Sequence, residues 1–271
     1  MIKIVDMQGG FGNQLFQYAF IYDLMKKGNN VFVFIGKGYN TKNNEDAYTE
    51  KREIIIRSND FRISRLNKFL YYLLEIFKKI PILNKSYYEI VFEKEYNPDK
   101  KYKFITSLNG FWQDLTLVDN VIYDIRKVFY EKKILSNEEK KRTLVQVRRG
   151  DFKSVNNDLK ITFYKEALLK INKNISKVDF DVVTDDVEWV KSNELFSKAK
   201  NIYPPTDNRE SVLELFTKML TYQNYIVGNS TFTLWAAIIA ADVNSKVIID
   251  KKFGEKIKTN ESKNFLNWIS I

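Results

Sequence analysis

Val145-Gln146-Val147-Arg148-Arg149-Gly150-Asp151-Phe152 is the stretch around which the chain is organised. A short apolar strand, Leu144 to Val147, runs directly into two arginines, a glycine and an aspartate. Arginine stays charged at any physiological pH, and its planar fork can grip two phosphate oxygens at once. Two guanidiniums at the end of a buried strand predict a fixed anion site, read here as a grip for the diphosphate of a nucleotide sugar.

Moving outward through the second half, the same grammar recurs. Phe180 to Val183 reads as a buried strand ending in Thr184-Asp185-Asp186, and Tyr225 to Val227 as a strand ending in Gly228-Asn229-Ser230-Thr231. An alanine-rich helix from Phe232 to Ala241 follows, and Lys246 to Ile249 is expected to close the sheet. Strands alternating with helices predict a parallel α/β sheet. All strands of such a sheet point one way, so the three polar loops emerge on the edge where open α/β sheets bind ligands. Ser230 or Thr231 is placed to cap the Phe232 helix, whose first N–H groups would face the same edge. Asp185 could accept from ribose hydroxyls or a guanine N–H pair; with Asp186 it could instead hold a divalent metal.

The first half opens with a strand, Ile2 to Val5, then Gly9-Gly10-Phe11-Gly12-Asn13-Gln14 and a helix to about Lys27, ended by Gly28. A second strand, Val31 to Ile35, follows. The glycine loop is a poor dinucleotide fingerprint: Leu15 stands where a third glycine belongs, and no acidic residue follows the second strand. Its backbone N–H groups and the Asn13 amide still suit an anion or a polar sugar. Residues 37–64 show no dominant element. Arg65 to Lys85 has apolar residues at helical spacing between lysines, which suits a core-facing helix or one lying on an anionic membrane; the core is the favoured reading. Gly110-Phe111-Trp112-Gln113-Asp114 joins aromatic rings to amides and an acid, as a sugar platform would, although Trp112 suits a core position equally well. Glu131 to Arg142 is strongly charged and reads as the linker, dividing the chain into domains 1–140 and 141–271.

Composition narrows the chemistry. The 271 residues include no cysteine and no histidine, which excludes disulfides, thiolate nucleophiles, serine–histidine triads and HExxH metal sites. The net charge of +10 suggests an anionic partner without choosing one, so a basic RNA-binding α/β protein is a competing reading, though no RNP or KH motif is present. No run of about 18 apolar residues and no signal peptide is seen, which predicts a cytoplasmic protein.

Four motifs in order, Gly9 to Ala19, Arg148 to Phe152, Val183 to Asp186 and Asn229 to Ala237, resemble those of the bacterial α-1,2-fucosyltransferases, glycosyltransferase family 11. The resemblance implies a GT-B fold, two Rossmann-like domains facing across a cleft, the first acceptor-side and the second binding GDP-sugar. It implies GDP-fucose as donor, a galactose-terminated acceptor, inversion and no metal or other cofactor. An altered donor or linkage is the alternative within the same group.

The family's β-phosphate ligand corresponds to Arg148, its loop asparagine near the reacting centre to Asn13, and its segment around diphosphate and base to Ser230, Thr231 and Phe232. Gly10, Gly12, Gln146, Arg149, Asp151, Thr184, Asp185 and Asn229 complete the expected donor site. The family usually carries histidine where this chain has Gln146, so a titrating base at that position is lost. Asp114 is the candidate proton acceptor, with the leaving phosphate as the alternative. The acceptor is expected to be an O-antigen, capsule or lipopolysaccharide precursor, lipid-linked, with the enzyme in the cytoplasm or peripheral at the membrane's inner face.

Overall fold

Every strand pair in the described chain is parallel. The computed structural model describes residues 1–34, 64–65, 68–131, 142–154, 156–204, 209–265 and 267–271. These form two compact units, 1–113 and 114–271. Two parallel α/β units are the Rossmann-like pair from which a GT-B chain is built.

In the first unit β1 (Ile2–Asp6) lies between β2 (Asn30–Phe34) and β5 (Ile105–Asn109). The short β3 (Ser64–Arg65) and β4 (Tyr88–Phe92) are the edges, giving the order β3-β2-β1-β5-β4. Helix α1 (Phe11–Lys26) is buried nearly all round. Its two enclosed glutamines are satisfied within the loop before it: Gln17 exchanges hydrogen bonds with the Gln8 backbone, and Gln14 donates to Gly9 O. Gly28, at φ +78°, closes α1, with its N–H bonded to Met25 O and that of Asn29 to Leu24 O. The helix read within Arg65–Lys85 is α2 (Lys68–Lys79), and a second helix, α3 (Pro81–Tyr87), follows it. Pro81 ends the first and begins the second, because a missing N–H costs nothing in a helix's first turn.

The second unit has the strands β6 (Thr143–Val147), β7 (Phe180–Thr184), β8 (Ile202–Tyr203), β9 (Asn224–Gly228), β10 (Val247–Ile249) and β11 (Ile269–Ser270). The sheet runs on past Ile249, because Ile269–Ser270 pairs outside β10. Read across, the order is β8-β7-β6-β9-β10-β11, the doubly wound Rossmann order. Its direction of winding reverses between β6 and β9. Val145, Val147, Phe180, Val182 and Ile226 fill the core on one face with Tyr164 and Leu168 of α7 (Ile161–Ile171). Helix α10 (Thr231–Ala240), apolar almost throughout, is buried from Thr233 to Ala240.

The unit boundary differs from the expected one at 140. It falls between Gln113 and Asp114, so α4 (Leu115–Asp119) and α5 (Ile122–Glu131) belong to the second unit. The Arg126 guanidinium donates twice to Ile238 O, Leu115 N–H bonds Ile257 O, and Phe129 packs on Phe216. Charge density pointed to the 131–142 run, but a boundary lies where few contacts cross, and the apolar stripe of α5 is spent on the second unit. Residues 132–141 lie outside the described residues.

Candidate functional site

In the second unit the two adjacent arginines take different jobs. Arg149 is clamped: its Nη1 pairs with Asp158 at 2.8 Å, its Nε with Asp186 at 3.3 Å, and its guanidinium lies 4.1 Å from the Trp189 ring centre. Arg148 reaches solvent, with its side chain 30% exposed, 3.0 Å from Asp185 and over the Phe152 ring. Asp185 Oδ1 also accepts the Arg149 backbone N–H at 2.7 Å. Gly150, which opens α6 (Gly150–Ser154), sits against that carboxylate: a Cβ there would lie 2.9 Å from Asp185 Oδ2. Beneath the loop, burial pushes the Tyr164 phenol well above its ordinary range, and Tyr164 is hydrogen-bonded to the Arg148 backbone.

Asp186 is the N-cap of α8 (Val187–Ser192), accepting from Trp189 N–H at 3.1 Å and from Lys153 Nζ at 2.5 Å. The Lys153 hydrogen bond is the main reason its carboxyl is held below the usual aspartate range. Its own N–H is bonded to Thr184 Oγ1. Thr184, Asp185 and Asp186 are thus at the expected edge, but they hold the arginine loop together. Both carboxylates face cations of this chain, which disfavours the alternative of a metal between them.

Across the switch point, Gly228 turns with φ +59° and Asn229 Nδ2 donates to Asn157 O at 2.6 Å, tying the loop after β9 to the loop after α6. Ser230 occupies the N-cap of α10, as expected, although its side chain makes no capping hydrogen bond. Thr231 and Phe232 are half-buried at the helix start, Phe232 leaning on Phe216. The first-turn N–H groups of a helix lack intrahelical partners and point out of its N-terminus, here toward the edge that carries Arg148. Asp151 lies in α6, but its side chain falls outside the described residues.

The first unit has a switch point of its own, between β1 and β5. Gly9 has φ +78°, and a Cβ there would lie 2.6 Å from Asn13 Nδ2 and 2.8 Å from the Phe111 ring. Only glycine meets both demands. Gly10 is the N-cap of α1 and Gly12 is buried in its first turn. Asn13 Oδ1 accepts from Gln113 Nε2 at 2.8 Å. Trp112 is the core residue, stacked on Phe20 at 3.8 Å, and adopts φ +55°, unusual for so large a side chain. That turn leaves Phe111 exposed on one side and brings Gln113 to Asn13 on the other. Gln113 Oε1 is enclosed with no hydrogen-bond partner among the described residues.

A Rossmann switch point with an outward arginine, in a chain that also carries a parallel unit with a glycine loop, is consistent with a nucleotide-sugar enzyme. The sequence profile described as "Glycosyl transferase family 11" matches residues 1–271. The chain belongs to glycosyl transferase family 11. It is 26% identical to an Escherichia coli protein named alpha-1,2-colitosyltransferase, over 87% of each chain. It is 24% identical to the Escherichia coli O-antigen biosynthesis glycosyltransferase WbnK, over 91% of this chain and 93% of that one. Among solved structures, a mutant of Arabidopsis thaliana FUT1 in complex with GDP aligns over 92% of this chain and 69% of its own, at 12% identity and TM-score 0.44. WaaG, a glycosyltransferase involved in lipopolysaccharide biosynthesis, aligns over 100% and 86%, at 12% identity and TM-score 0.33.

Two expected roles change in this family 11 chain. Gln146 was expected to touch donor; it is buried, with Oε1 accepting from Thr233 Oγ1 at 2.5 Å and Nε2 donating to Val183 O at 3.2 Å. It pins β6 to β7 and α10 from inside. Gln146→Ala would strand the buried Thr233 hydroxyl, so urea unfolding should show a loss of about 1–3 kcal/mol. Asp114, the candidate proton acceptor, is the N-cap of α4: Oδ1 accepts from Thr116 N–H and Oγ1, and Oδ2 pairs with Lys258 at 2.5 Å. A carboxylate engaged at both oxygens is poorly suited to take a substrate proton. Gln113, one residue earlier, was not among the expected site residues; its signal was an amide beside aromatics after a strand.

Proposed function

We propose that this glycosyltransferase moves L-fucose from GDP-β-L-fucose to the 2-hydroxyl of a terminal galactose in a surface-glycan precursor, with inversion and without a metal. The observation that carries the reading is Arg148, solvent-reaching at the end of β6 beside the start of α10, where a Rossmann sheet reverses. As the sugar–phosphate bond breaks, negative charge grows on the departing diphosphate. A fixed guanidinium and helix N–H groups would stabilise that charge more than they stabilise the bound donor, which is the condition for lowering the barrier. The sugar gains oxocarbenium character, and the acceptor hydroxyl attacks from the opposite face. With Asp114 committed to its cap and its lysine, proton loss is assigned to follow bond formation, when the attacked oxygen has become a strong acid and water suffices to take the proton. Asn13, held by Gln113, is assigned to the reacting sugar. The name of the WbnK relative supports an O-antigen-type acceptor.

A second reading is favoured by the colitosyltransferase relative: the same reaction with a colitosyl donor, which lacks one ring hydroxyl of fucose. A donor panel of GDP-fucose, its 3-deoxy counterpart and GDP-mannose, offered with a β-galactoside and analysed by NMR of the product, separates the two. GDP-fucose should give the α-1,2 product, with or without EDTA. Transfer only from the 3-deoxy donor would establish the second reading, and transfer from none would overturn both.

A further inference from the structure

We propose that helix α2 lies in the interface of an anionic lipid bilayer and seats the enzyme on the membrane. Phe69, Tyr72, Leu73 and Ile76 are all exposed, Phe69 by 69%. They are spaced by three, one and three residues, so at 3.6 residues per turn they fall within about 100° of the helix circumference. Leu74 and Phe77 are half-buried. A surface helix of a globular protein normally turns polar residues outward; α2 turns an apolar stripe outward instead. Ile82 and Tyr87 of α3 are exposed as well.

Charge selects the partner. Lys79 borders the stripe by the same helical count, Lys85 follows in α3, and Glu75 is the only acid in the sequence between Lys68 and Tyr87. Lys79 and Lys85 are exposed. Lysine is depleted at the buried centre of protein–protein contacts, whereas an interfacial helix uses lysines beside its apolar face to reach anionic headgroups. Among the described residues no helix is long and apolar enough to cross a membrane, so α2 lies along the surface. The inference is independent of the donor assignment, because it concerns where the enzyme sits and not which sugar it moves.

Vesicle sedimentation tests it with the full chain. The wild type should pellet with vesicles of phosphatidylcholine and phosphatidylglycerol, much less with phosphatidylcholine alone, and less at high salt. Phe69→Ser/Ile76→Ser and Lys79→Glu/Lys85→Glu should each lower partitioning at least about tenfold. The charge variant alters only exposed positions, so it carries the test if the apolar variant fails to fold. A wild type that stays in the supernatant overturns the proposal, as does a folded variant that pellets like wild type. A dimer on gel filtration that Phe69→Ser/Ile76→Ser converts to monomer would instead give the face to a second copy of the chain.

Discussion

Arg148→Ala is expected to lower kcat/KM for sugar transfer by at least about a hundredfold, equivalent to about 2.7 kcal/mol of lost transition-state stabilisation, while the urea midpoint barely moves. The two effects separate because of where the side chain sits. Its guanidinium is 30% exposed, and a part-exposed ion pair such as the one to Asp185 contributes about 1 kcal/mol or less to stability. Its expected contribution to chemistry is larger, because the diphosphate it would meet gains a further negative charge as the sugar leaves. Arg148→Lys keeps the charge but loses the fork, so its activity should fall between the two. Arg149→Ala should do the reverse, lowering the urea midpoint through loss of the Asp158, Asp186 and Trp189 contacts. GDP release and urea denaturation on the same preparations check both. Retention of more than about a tenth of wild-type activity by Arg148→Ala would remove Arg148 from the site.

What could be read from the sequence was whatever local order encodes. The strand-end placement of Arg148, Asp185 and Ser230 followed from the α/β alternation, and the structure puts all three at one edge of one sheet. Roles set by distant partners were not legible. Two acids after a strand look the same whether they await a ligand or hold a loop; only the fold brings Arg149, Lys153 and Trp189 to Asp185 and Asp186. Gln113 was read only as part of a possible sugar platform, because its partner, Asn13, lies 100 residues away. The apolar spacing of α2 suits a core or a lipid surface, and the core was favoured; the exposure of Phe69 and Ile76 takes that part of the stripe out of the core. The domain boundary was sought in charge, whereas the packing of α5 decides it.

The second large effect should come from the pair Gly150 and Asp185, and its diagnostic is non-additivity. Asp185 accepts the Arg149 N–H, pairs with Arg148, and sits so close that a methyl on Gly150 would meet its Oδ2 at 2.9 Å. Gly150→Ala therefore cannot be absorbed by a small side-chain movement, because turning the carboxylate away breaks the backbone bond and the ion pair together. Asp185→Ala removes the obstacle and both contacts at once. Each single variant should lower transfer at least about tenfold by letting the end of β6 re-aim Arg148, since small displacements of a charge-stabilising group are costly. In the double variant the clash is gone and the contacts are already lost, so the second change should cost almost nothing. The coupling read from kcat/KM in a double-mutant cycle should reach about 1–2 kcal/mol, within the range for residues in contact. If the two losses simply multiply, Asp185 does not position the arginine loop through Gly150, and a direct contact between Asp185 and the donor regains its place.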